Sequence, residues 1–547
     1  MPINSRYPNT RLNQASPGEG RGSVPQALFR CMRNEVVSMI ELIDSADTTT
    51  LDDYSAHSHL TSAVWELRQE AADARRYING RSILMINSTA RGGGVAEMLP
   101  KLVGIMKELG IETRWAVMGS DDPAFFRLTK RLHNMIHGDG NGYVLSAEDR
   151  SLFEHTGKDN FEGLRRIVLP SDLLVIHDPQ PLALGALSKQ HMNIPAVWRC
   201  HIGLDEERPS TRAAWEFLEP YARIFDHGIF SAGEYVPDYL KDRSSIIYPA
   251  LDPLSFKNRH FRAERLTSIL VNAGLAKPAE PTLTNPFPEQ PLRLQPDGTF
   301  GPANMPDEIG FLYRPTITQI SRWDRLKGFR PLLEGFIRLK KSLNGHSIIP
   351  SSRRYRRTEI LRLVMVGPDP GSIQDDPEGC EVLDELCSSI TRLDPEIQKD
   401  VVLLTLPMNS RRDNAFMVNA LQTASSIVIQ NSLREGFGLT LTEAMWKGTP
   451  VVGTSACGLR HQIHDRVHGR IVYNPEDPEE IAEVLGEMLG ADVELNLWSR
   501  NAQTRVYQEF LIFNQVKKWL RILKLFESDS SRIPLINGQN EGVPAQL

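Results

Sequence analysis

Short runs of almost entirely apolar, β-branched residues recur in two stretches of the chain, and segments with helical periodicity separate them. Strands that are apolar on both faces are typical of parallel sheets covered by helices on both sides. The first series lies at residues 82–87, 114–118, 172–177, 195–200 and 227–231, and the second at 316–321, 361–367, 401–406, 425–430 and 451–454. We therefore predict an α/β chain with two Rossmann-like doubly wound domains that face a central cleft.

The segments around these two series set the predicted domain boundaries. Residues 1–24 are rich in Gly, Pro, Ser, Asn and Arg and predict a disordered tail, whereas the apolar spacing in 25–80 predicts an N-terminal helical extension of two helices. Eight prolines between Lys277 and Asp307 predict a linker or surface insertion over 261–312. The two Rossmann-like domains then span 81–260 and 313–500, and a C-terminal helix and tail follow at 501–547.

Composition argues against several classes of protein. The 62 Lys and Arg residues against 68 Asp and Glu residues give a formal net charge of −6, which lacks the basic excess of a nucleic-acid-binding protein. The chain has no apolar run near the roughly 18 residues that span a bilayer, and its first residues contain no apolar signal core, so membrane insertion and secretion are disfavoured. Five scattered cysteines indicate reduced thiols in a cytoplasmic protein.

A glycine-rich turn follows the first predicted strand. The segment TARGGG occupies residues 89–94, and an apolar helical pattern begins directly after it. Glycines let backbone N–H groups approach a ligand closely at a helix N-terminus, where the helix dipole favours negative charge. The turn could hold an anionic group or a sugar hydroxyl, although such a turn by itself is more often a tight connection.

A pair of basic residues follows the first strand of the second series. Arg322 and Lys327 lie in SRWDRLKG, between that strand and the next helical pattern. The carboxyl edge of a parallel sheet is where doubly wound proteins bind ligands, and two cations at this edge suit a diphosphate. If the pair stood alone, two solvent-exposed loop residues would be the simpler interpretation.

Two glutamates frame the turn and helix after residues 425–430. Glu435 precedes Gly436 and Gly438 in a predicted loop, and Glu443 lies in the helical segment that ends at Gly448. A carboxylate can accept hydrogen bonds from two hydroxyl groups, which suits a sugar and a ribose. Either glutamate alone could equally be a surface or helix-capping residue.

Taken together, these three elements resemble a known family. The Glu-x7-Glu spacing with the upstream Arg322 and Lys327 is similar to retaining nucleotide-sugar glycosyltransferases of family 4, which have the GT-B fold. Within that group the chain resembles the trehalose-forming glycosyltransferring synthases and the related retaining trehalose phosphorylases over about residues 64–510. The segments that carry this closer resemblance are NSTARGGGVAEMLP, VIHDPQPLAL, WRCHIGLD, YPALDPLSFKN and QNSLREGFGLTLTEAMWKGTPVVG.

The resemblance implies that domain 313–500 binds the nucleotide sugar. Arg322 and Lys327 would hold the donor's phosphate, and Glu443 would bind its ribose. Glu435, together with the backbone of Gly436, Phe437 and Gly438, would hold the donor hexose. The implied catalytic set is His201, Arg322, Lys327 and Glu435.

The resemblance also implies that domain 81–260 is the acceptor side. Gly93 and Gly94 would approach the phosphate and sugar, and His201 would hydrogen-bond the transferred hexose near the reacting centre. Asp178 is the candidate residue on the acceptor side. A histidine such as His201 at a strand edge would by itself more often be structural, and we expect His177 only to close its strand.

In such an enzyme the anomeric bond to phosphate breaks through an oxocarbenium-like state, and the protein chiefly stabilises charge on the leaving phosphate. The departing oxygen takes the acceptor proton on the same face, so the scheme needs no protein nucleophile. No Asp-x-Asp-like metal triad follows a predicted strand, so we expect that the chemistry requires no divalent ion, and no cofactor is implied. The implied function is transfer of glucose from a nucleoside diphosphate glucose to glucose, giving trehalose reversibly. A trehalose phosphorylase and a non-catalytic sugar-nucleotide-binding protein are the alternatives, and a homodimeric assembly stays open.

Overall fold

The computed structural model describes residues 39–526, except for 45–48, 79, 91–93, 141, 278–284, 345–348 and 373–376. The predicted tails at 1–24 and beyond 526, and residues 25–38 of the predicted helical extension, lie outside this part of the chain. No helix within the described ranges is long and apolar enough to cross a membrane.

A seven-stranded sheet forms the core of the first half, in the order β1-β3-β2-β4-β5-β6-β7. All neighbours pair in parallel except β1, which runs antiparallel to β3 at the edge. The strands are β1 (Glu41–Ile43), β2 (Ser82–Asn87), β3 (Thr113–Val117), β4 (Asp172–His177), β5 (Ala196–Arg199), β6 (His227–Phe230) and β7 (Ser244–Ile246). Because β2, β4, β5 and β6 are buried at every residue, both faces of the sheet are covered.

Seven helices accompany this sheet. Their starts follow ordinary capping chemistry, since the hydroxyls of Thr50 and Ser146 accept the N–H of the third helical residue of α1 and α5. The helices are α1 (Leu51–Ser55), α2 (Thr61–Ile78), α3 (Gly94–Glu108), α4 (Pro123–Ile136), α5 (Ala147–Ile167), α6 (Leu182–Met192) and α7 (Pro209–Ala222).

An eight-stranded sheet forms the core of the second half, in the order β15-β14-β13-β10-β11-β12-β8-β9. The six strands from β15 to β12 are parallel, and β8 and β9 add an antiparallel edge. The strands are β8 (Leu292–Leu294), β9 (Phe300–Pro302), β10 (Thr316–Ile320), β11 (Arg362–Pro368), β12 (Val401–Leu406), β13 (Ile427–Ile429), β14 (Val451–Thr454) and β15 (Arg470–Val472).

The helices that follow β7 pack around this sheet, except for α18, which packs against the first half. They are α8 (Ala263–Asn272), α9 (Phe329–Lys341), α10 (Arg353–Ile360), α11 (Pro377–Thr391), α12 (Pro395–Gln398), α13 (Arg411–Ala424), α14 (Leu439–Trp446), α15 (Cys457–Arg460), α16 (Pro478–Gly490), α17 (Asp492–Arg505) and α18 (Ile512–Lys524). A π-helical turn at Val506–Phe510 joins α17 to the residue before α18.

Two segments differ from the sequence-based expectation. The helical assignment fails at residues 41–43, which form β1, because the open edge of β3 offers backbone hydrogen bonds that a short apolar run can take as a strand. The segment expected as a linker over 261–312 contains α8 and the β8–β9 hairpin, which joins the second sheet through β12. Its prolines are compatible with this position because the hairpin lies at a sheet edge.

The chain crosses between the two halves twice, and the crossings are hydrogen-bonded to each other. The N–H of Leu251 donates to the carbonyl of Phe510 at 2.7 Å, and the N–H of Ile512 donates to the carbonyl of Leu251 at 2.9 Å. Helix α18 then packs against α2 of the first half, where Lys517 Nζ lies 2.6 Å from Glu66 Oε2. The C-terminal helix is therefore anchored on the N-terminal half.

Candidate active site

A lysine and a glutamate pair at the carboxyl edge of the second sheet. Lys327 lies in a short 3-10 turn after β10, and its Nζ is 2.7 Å from Oε2 of Glu435, in the loop after β13. The two side chains are 16% and 13% exposed, so both retain a small accessible surface. Ser432 Oγ also donates to Glu435 Oε2 at 3.0 Å. The structure thus brings together two predicted site residues from distant parts of the sequence.

Buried amides hold these two loops in register. Gln319, at the end of β10, donates from Nε2 to the carbonyl of Lys327 at 2.7 Å and accepts the N–H of Asn431 at 2.9 Å. Asn431 Nδ2 donates in turn to the carbonyl of Gly328 at 3.1 Å. Gly328 has φ +62°, and a Cβ there would collide with the carbonyl of Asn431, so this close approach requires glycine.

The loop that follows Glu435 opens α14. Gly438, with φ +81°, is the residue directly before the helix. The free N–H groups of the first turn of α14 therefore begin a few residues after Glu435. Tyr235 of the first half donates its hydroxyl to the carbonyl of Gly436 at 2.8 Å. Gly458 donates its N–H to the carbonyl of Glu435 at 3.0 Å, and Gln462 donates to the carbonyl of Phe437. The backbone of 435–438 is therefore fixed from both halves.

Arg322 and Glu443 lie on either side of the Lys327–Glu435 pair in sequence, but neither contacts it. The Arg322 side chain is 66% exposed, and its ion pair among the described residues is with Asp324, with 3.9 Å between Nη2 and Oδ2. Glu443, which is 7% exposed, accepts from Gln422 Nε2 at 3.0 Å and has Lys257 Nζ 3.6 Å from Oε1. Glu443 thus already has two partners, one of them a lysine from the crossing segment.

A second lysine lies behind Glu443. Lys447 Nζ donates to Gln422 Oε1 at 2.7 Å and to the carbonyl of Glu443 at 3.2 Å. Burial lowers the pKa of Lys447 to about 7, and the nearby Glu443 carboxylate opposes that shift. Hydrogen bonds and opposite charges therefore join Glu443 to Gln422, Lys447 and Lys257.

At the carboxyl edge of the first sheet, Asp178 and His201 lie together. Asp178 follows β4 in the left-handed region at φ +64°, and its Oδ1 accepts the N–H of His201 at 2.8 Å. His201 Nε2 is 3.1 Å from Nδ1 of His177, and the two rings stack 14° from parallel. A non-glycine residue in this backbone region is uncommon and is typical of functional sites.

Burial alters the titration of this group. Burial and, to a smaller extent, the charge of Arg199 lower the pKa of His201 well below its usual range and that of His177 to about 3. Burial raises the pKa of Asp178 to about 6, although the hydrogen bond from the His201 N–H and the charge of Arg199 act to lower it. The two imidazoles are therefore neutral near pH 7, where each can donate one hydrogen bond and accept one.

The glycine-rich turn is described only in part. Gly94 begins α3, and a Cβ there would meet no atom of the described residues within 4 Å. Gly93 lies outside the described residues. Helix α3 has 15 residues, so its N-terminus carries the partial positive charge of a full helix.

Charged residues connect the two halves beside the site. Arg460 of α15 lies 2.5 Å from Asp205 and 2.9 Å from Glu234, and His461 Nε2 is 2.9 Å from Glu234. The hydrogen bond from His461 lowers the pKa of Glu234 to about 2. Glu234, Cys457 and His461 are the group among the described residues that could hold a metal ion, but Arg460 already occupies the Glu234 carboxylate.

Several site residues have only weak signals in the sequence. His177 does close β4 as predicted, and it also contacts His201 directly, a contact that the sequence analysis did not anticipate. Tyr235 and Lys257 were not predicted, because each contacts a residue of the opposite half: Tyr235 contacts Gly436 in the turn, and Lys257 contacts Glu443 in α14. Lys257 could have been noted from its position in YPALDPLSFKN, one of the segments that carry the resemblance.

The pKa of Asp178 gives a testable pH dependence. Between about pH 4 and 6 the unfolded carboxyl is ionised while the folded one keeps its proton, so the contribution of Asp178 to the free energy of unfolding should fall as pH rises to about 6 and then level off. Buried histidines such as His177, whose pKa is lowered, contribute in the opposite direction over this range, so the comparison between variants isolates Asp178. Asp178→Asn should remove this fall, and asparagine tolerates the left-handed backbone. Denaturant unfolding at pH 4–7, with the exposed Asp238→Asn as control, tests this. The same slope in Asp178→Asn and the unchanged protein would contradict the assignment.

Both halves of the chain match domains of known proteins. The profile for the trehalose synthase N-terminal domain matches residues 85–237, and that for group 1 glycosyl transferases matches residues 311–505. The trehalose synthase of Pyrococcus horikoshii is 32% identical over 448 residues, which cover 82% of this chain and 90% of that protein. The trehalose phosphorylase of Pleurotus pulmonarius is 25% identical over 502 residues, covering 87% of this chain and 61% of that protein.

The solved structures define the class. A UDP-forming α,α-trehalose-phosphate synthase from Burkholderia xenovorans superposes with a TM-score of 0.58 at 14% identity and covers 82% of this chain. The two halves, with their strand ends bearing the site residues, are those of a GT-B glycosyltransferase, which confirms the predicted fold class. At 32% identity over most of its length, the chain belongs to the trehalose synthase family, as the sequence resemblance implied.

Proposed function

We propose that the protein transfers a glucosyl group from a nucleoside diphosphate glucose to glucose with retention of configuration, forming trehalose reversibly. The observation that carries this proposal is the Lys327–Glu435 pair, with 2.7 Å between Nζ and Oε2, beside the Gly436–Gly438 turn. A cation and a hydroxyl-binding carboxylate side by side suit the junction between a hexose and its phosphate. Family membership supports this choice over a non-catalytic binding protein.

In the proposed reaction the bond between the anomeric carbon and the phosphate oxygen breaks, and the acceptor's hydroxyl oxygen bonds to the same face of that carbon. The hydroxyl proton passes to the departing phosphate oxygen. Lys327, Arg322 and the N-terminus of α3 at Gly94 stabilise the negative charge that develops on the phosphate. His201 hydrogen-bonds the transferred hexose, and Asp178 accepts a hydroxyl of the acceptor sugar.

A trehalose phosphorylase is the second candidate, and one observation favours it. Glu443, the proposed ribose-binding residue, already has Gln422 and Lys257 as partners and needs no ribose to satisfy its charge. Each carboxylate oxygen can still accept a further hydrogen bond, so a ribose is compatible with these partners. The nucleotide reaction therefore remains the first proposal.

The deciding experiment supplies both reactions to the purified full-length protein. UDP-, ADP- and GDP-glucose are each incubated with glucose, trehalose is incubated with phosphate in parallel, and products are identified by NMR. We expect trehalose from at least one nucleotide sugar. Glucose 1-phosphate formed only from trehalose and phosphate would replace the proposal with the phosphorylase. Failure of every reaction would reject both.

Metal removal gives a further expected outcome. Because Arg322, Lys327 and the helix N-terminus supply the positive charge in the proposed scheme, a divalent cation is not needed for the chemical step. We expect kcat in excess EDTA to stay within about twofold of its value with added Mg²⁺, a difference of less than about 0.5 kcal/mol. A loss of tenfold or more in EDTA, restored by Mg²⁺, would contradict this expectation.

A further inference from the structure

The end of α4 brings two histidines of the first half to the donor-side loops of the second half. His133 and His137 lie one helical turn apart, so they share a face of the helix. Their ring centroids are 4.7 Å apart at 63°, and the N–H of His137 donates to the carbonyl of His133 at 3.1 Å. Neither residue belongs to the site that the sequence predicted.

His137 is directed at the turn that follows Glu435. A Cβ placed on Gly436 would lie 3.7 Å from Cε1 of His137, so the imidazole reaches the loop at the point where Gly436 has no side chain. A bound hexose that contacts Glu435 and the backbone of this turn would therefore lie next to the ring. His133, behind His137, lies close enough to Arg322 to be influenced by its charge.

The surroundings of the pair are rich in positive charge. Lys327 and Arg434 act on His137, and they add to the effect of burial in lowering its pKa to about 4. Burial, His137, Arg322 and Lys130 lower the pKa of His133 to about 3. Both rings are therefore neutral near pH 7, and each has one N–H and one lone pair to offer.

Neither ring forms a side-chain hydrogen bond within the described residues, although both are partly buried. A half-buried N–H group without a partner, beside Lys327 and Arg434, is suited to an anionic or hydroxyl oxygen. Lys327 is paired with Glu435, Arg322 lies 3.9 Å from Asp324, and Arg434 is close enough to Glu206 to lower its pKa, while Lys327 and Arg434 also act on His137. The site thus favours a ligand with negative charge.

We propose that His137 donates its ring N–H to an oxygen of the glucosyl phosphate portion of the donor, and that His133 is a positioning residue that packs against the His137 ring. This inference rests on the proposed function only in requiring a donor that contains a glucosyl phosphate. The nucleotide sugar and glucose 1-phosphate both contain this group. In this arrangement the donor bound to the second half also contacts α4 of the first half.

The test uses full-length variants and four probes, which are UDP-glucose, ADP-glucose, GDP-glucose and glucose 1-phosphate. Calorimetry measures the affinity for each probe, and initial rates give kcat and KM for the reaction that the protein catalyses. We expect His137→Ala to weaken binding of the preferred probe at least tenfold and to lower kcat/KM about 100-fold. His137→Asn, which keeps an N–H donor, should recover part of both losses.

For the positioning role of His133, the matched variants are His133→Ala and His133→Phe. Phenylalanine keeps the ring contact with His137 but not the imidazole nitrogens, so His133→Phe should keep most of the kcat/KM that His133→Ala loses. The control is His155→Ala on α5, whose side chain is 74% exposed and lies against Asp159. Thermal unfolding of every variant verifies that the fold is intact.

The outcomes separate this inference from the proposed function. If the unchanged protein binds none of the four probes, the proposed function fails and this inference fails with it. If it binds a probe and folded His137→Ala binds that probe equally well with unchanged kcat/KM, the role of His137 is wrong while the proposed function stands. If His133→Phe is as impaired as His133→Ala, the positioning role of the His133 ring is wrong.

Discussion

Replacing Lys327 with methionine is expected to lower kcat by about 1,000-fold, because the variant loses the cation beside the leaving phosphate. The change also leaves the Glu435 carboxylate, 13% exposed, without its 2.7 Å partner. An unpaired carboxylate of this burial should reduce the free energy of unfolding by about 3 kcal/mol. Initial rates with the donor established by product analysis, and denaturant unfolding, measure the two effects separately.

A double variant distinguishes catalysis from stability. Lys327→Met with Glu435→Gln removes both charges, so we expect it to regain most of the lost stability and none of the lost activity. The control is Lys189→Met, which breaks a 2.6 Å ion pair with Asp226. Asp226 precedes β6, at the edge of the first sheet opposite the site, so kcat should be unchanged. Full activity in folded Lys327→Met would reject the proposed role of Lys327.

Gly458→Ala is expected to inactivate the protein without changing any side chain proposed to contact substrate. A Cβ at Gly458 would lie 2.5 Å from the backbone nitrogen of Phe437 and 2.7 Å from the carbonyl carbon of Gly436. Real Cβ atoms do not approach backbone so closely, so the turn at 436–438 must move. A displacement near 1 Å in such a loop corresponds to about a 100-fold loss of kcat/KM.

The matched control for this change is Gly490→Ala. Its Cβ would meet only Arg354 Cβ at 3.6 Å, an ordinary contact, so activity should be retained. We expect Gly458→Ala to remain folded with a loss of about 1–3 kcal/mol from overpacking. Circular dichroism and kcat/KM for the donor test the pair of variants. Near-normal kcat/KM in Gly458→Ala would show that the exact position of this turn is not required.

The parallel strands could be predicted because their signal is local. Residues 82–87 and 172–177 are apolar throughout, and β2 and β4 have these same limits. Lys327 and Glu435 were both assigned to the donor through the resemblance, and their positions after β10 and β13 place both loops at one sheet edge, although their direct contact was not predicted. Alternation of strand and helix fixes such an edge without any knowledge of distant packing.

Other features depend on packing between segments far apart in the chain. Residues 41–43 fit a helical spacing, and only the open edge of β3 makes them a strand. Helical periodicity indicates that His133 and His137 share a face of α4, but not that this face meets Gly436. Likewise, nothing local to Glu443 indicates that Lys257 will lie 3.6 Å away. These contacts arise from tertiary packing rather than from local pattern.

The double crossing at Leu251 and Leu511 limits how the two halves can move. Leu251 is hydrogen-bonded to both Phe510 and Ile512, so the two crossing segments lie side by side. Such a pair resists sliding and twisting of one half against the other but permits bending. Opening of the cleft is then a rotation about one axis close to this pair of segments. Because His137 at the end of α4 meets the second half at Gly436, such a rotation would change the distance between this ring and the donor-side turn.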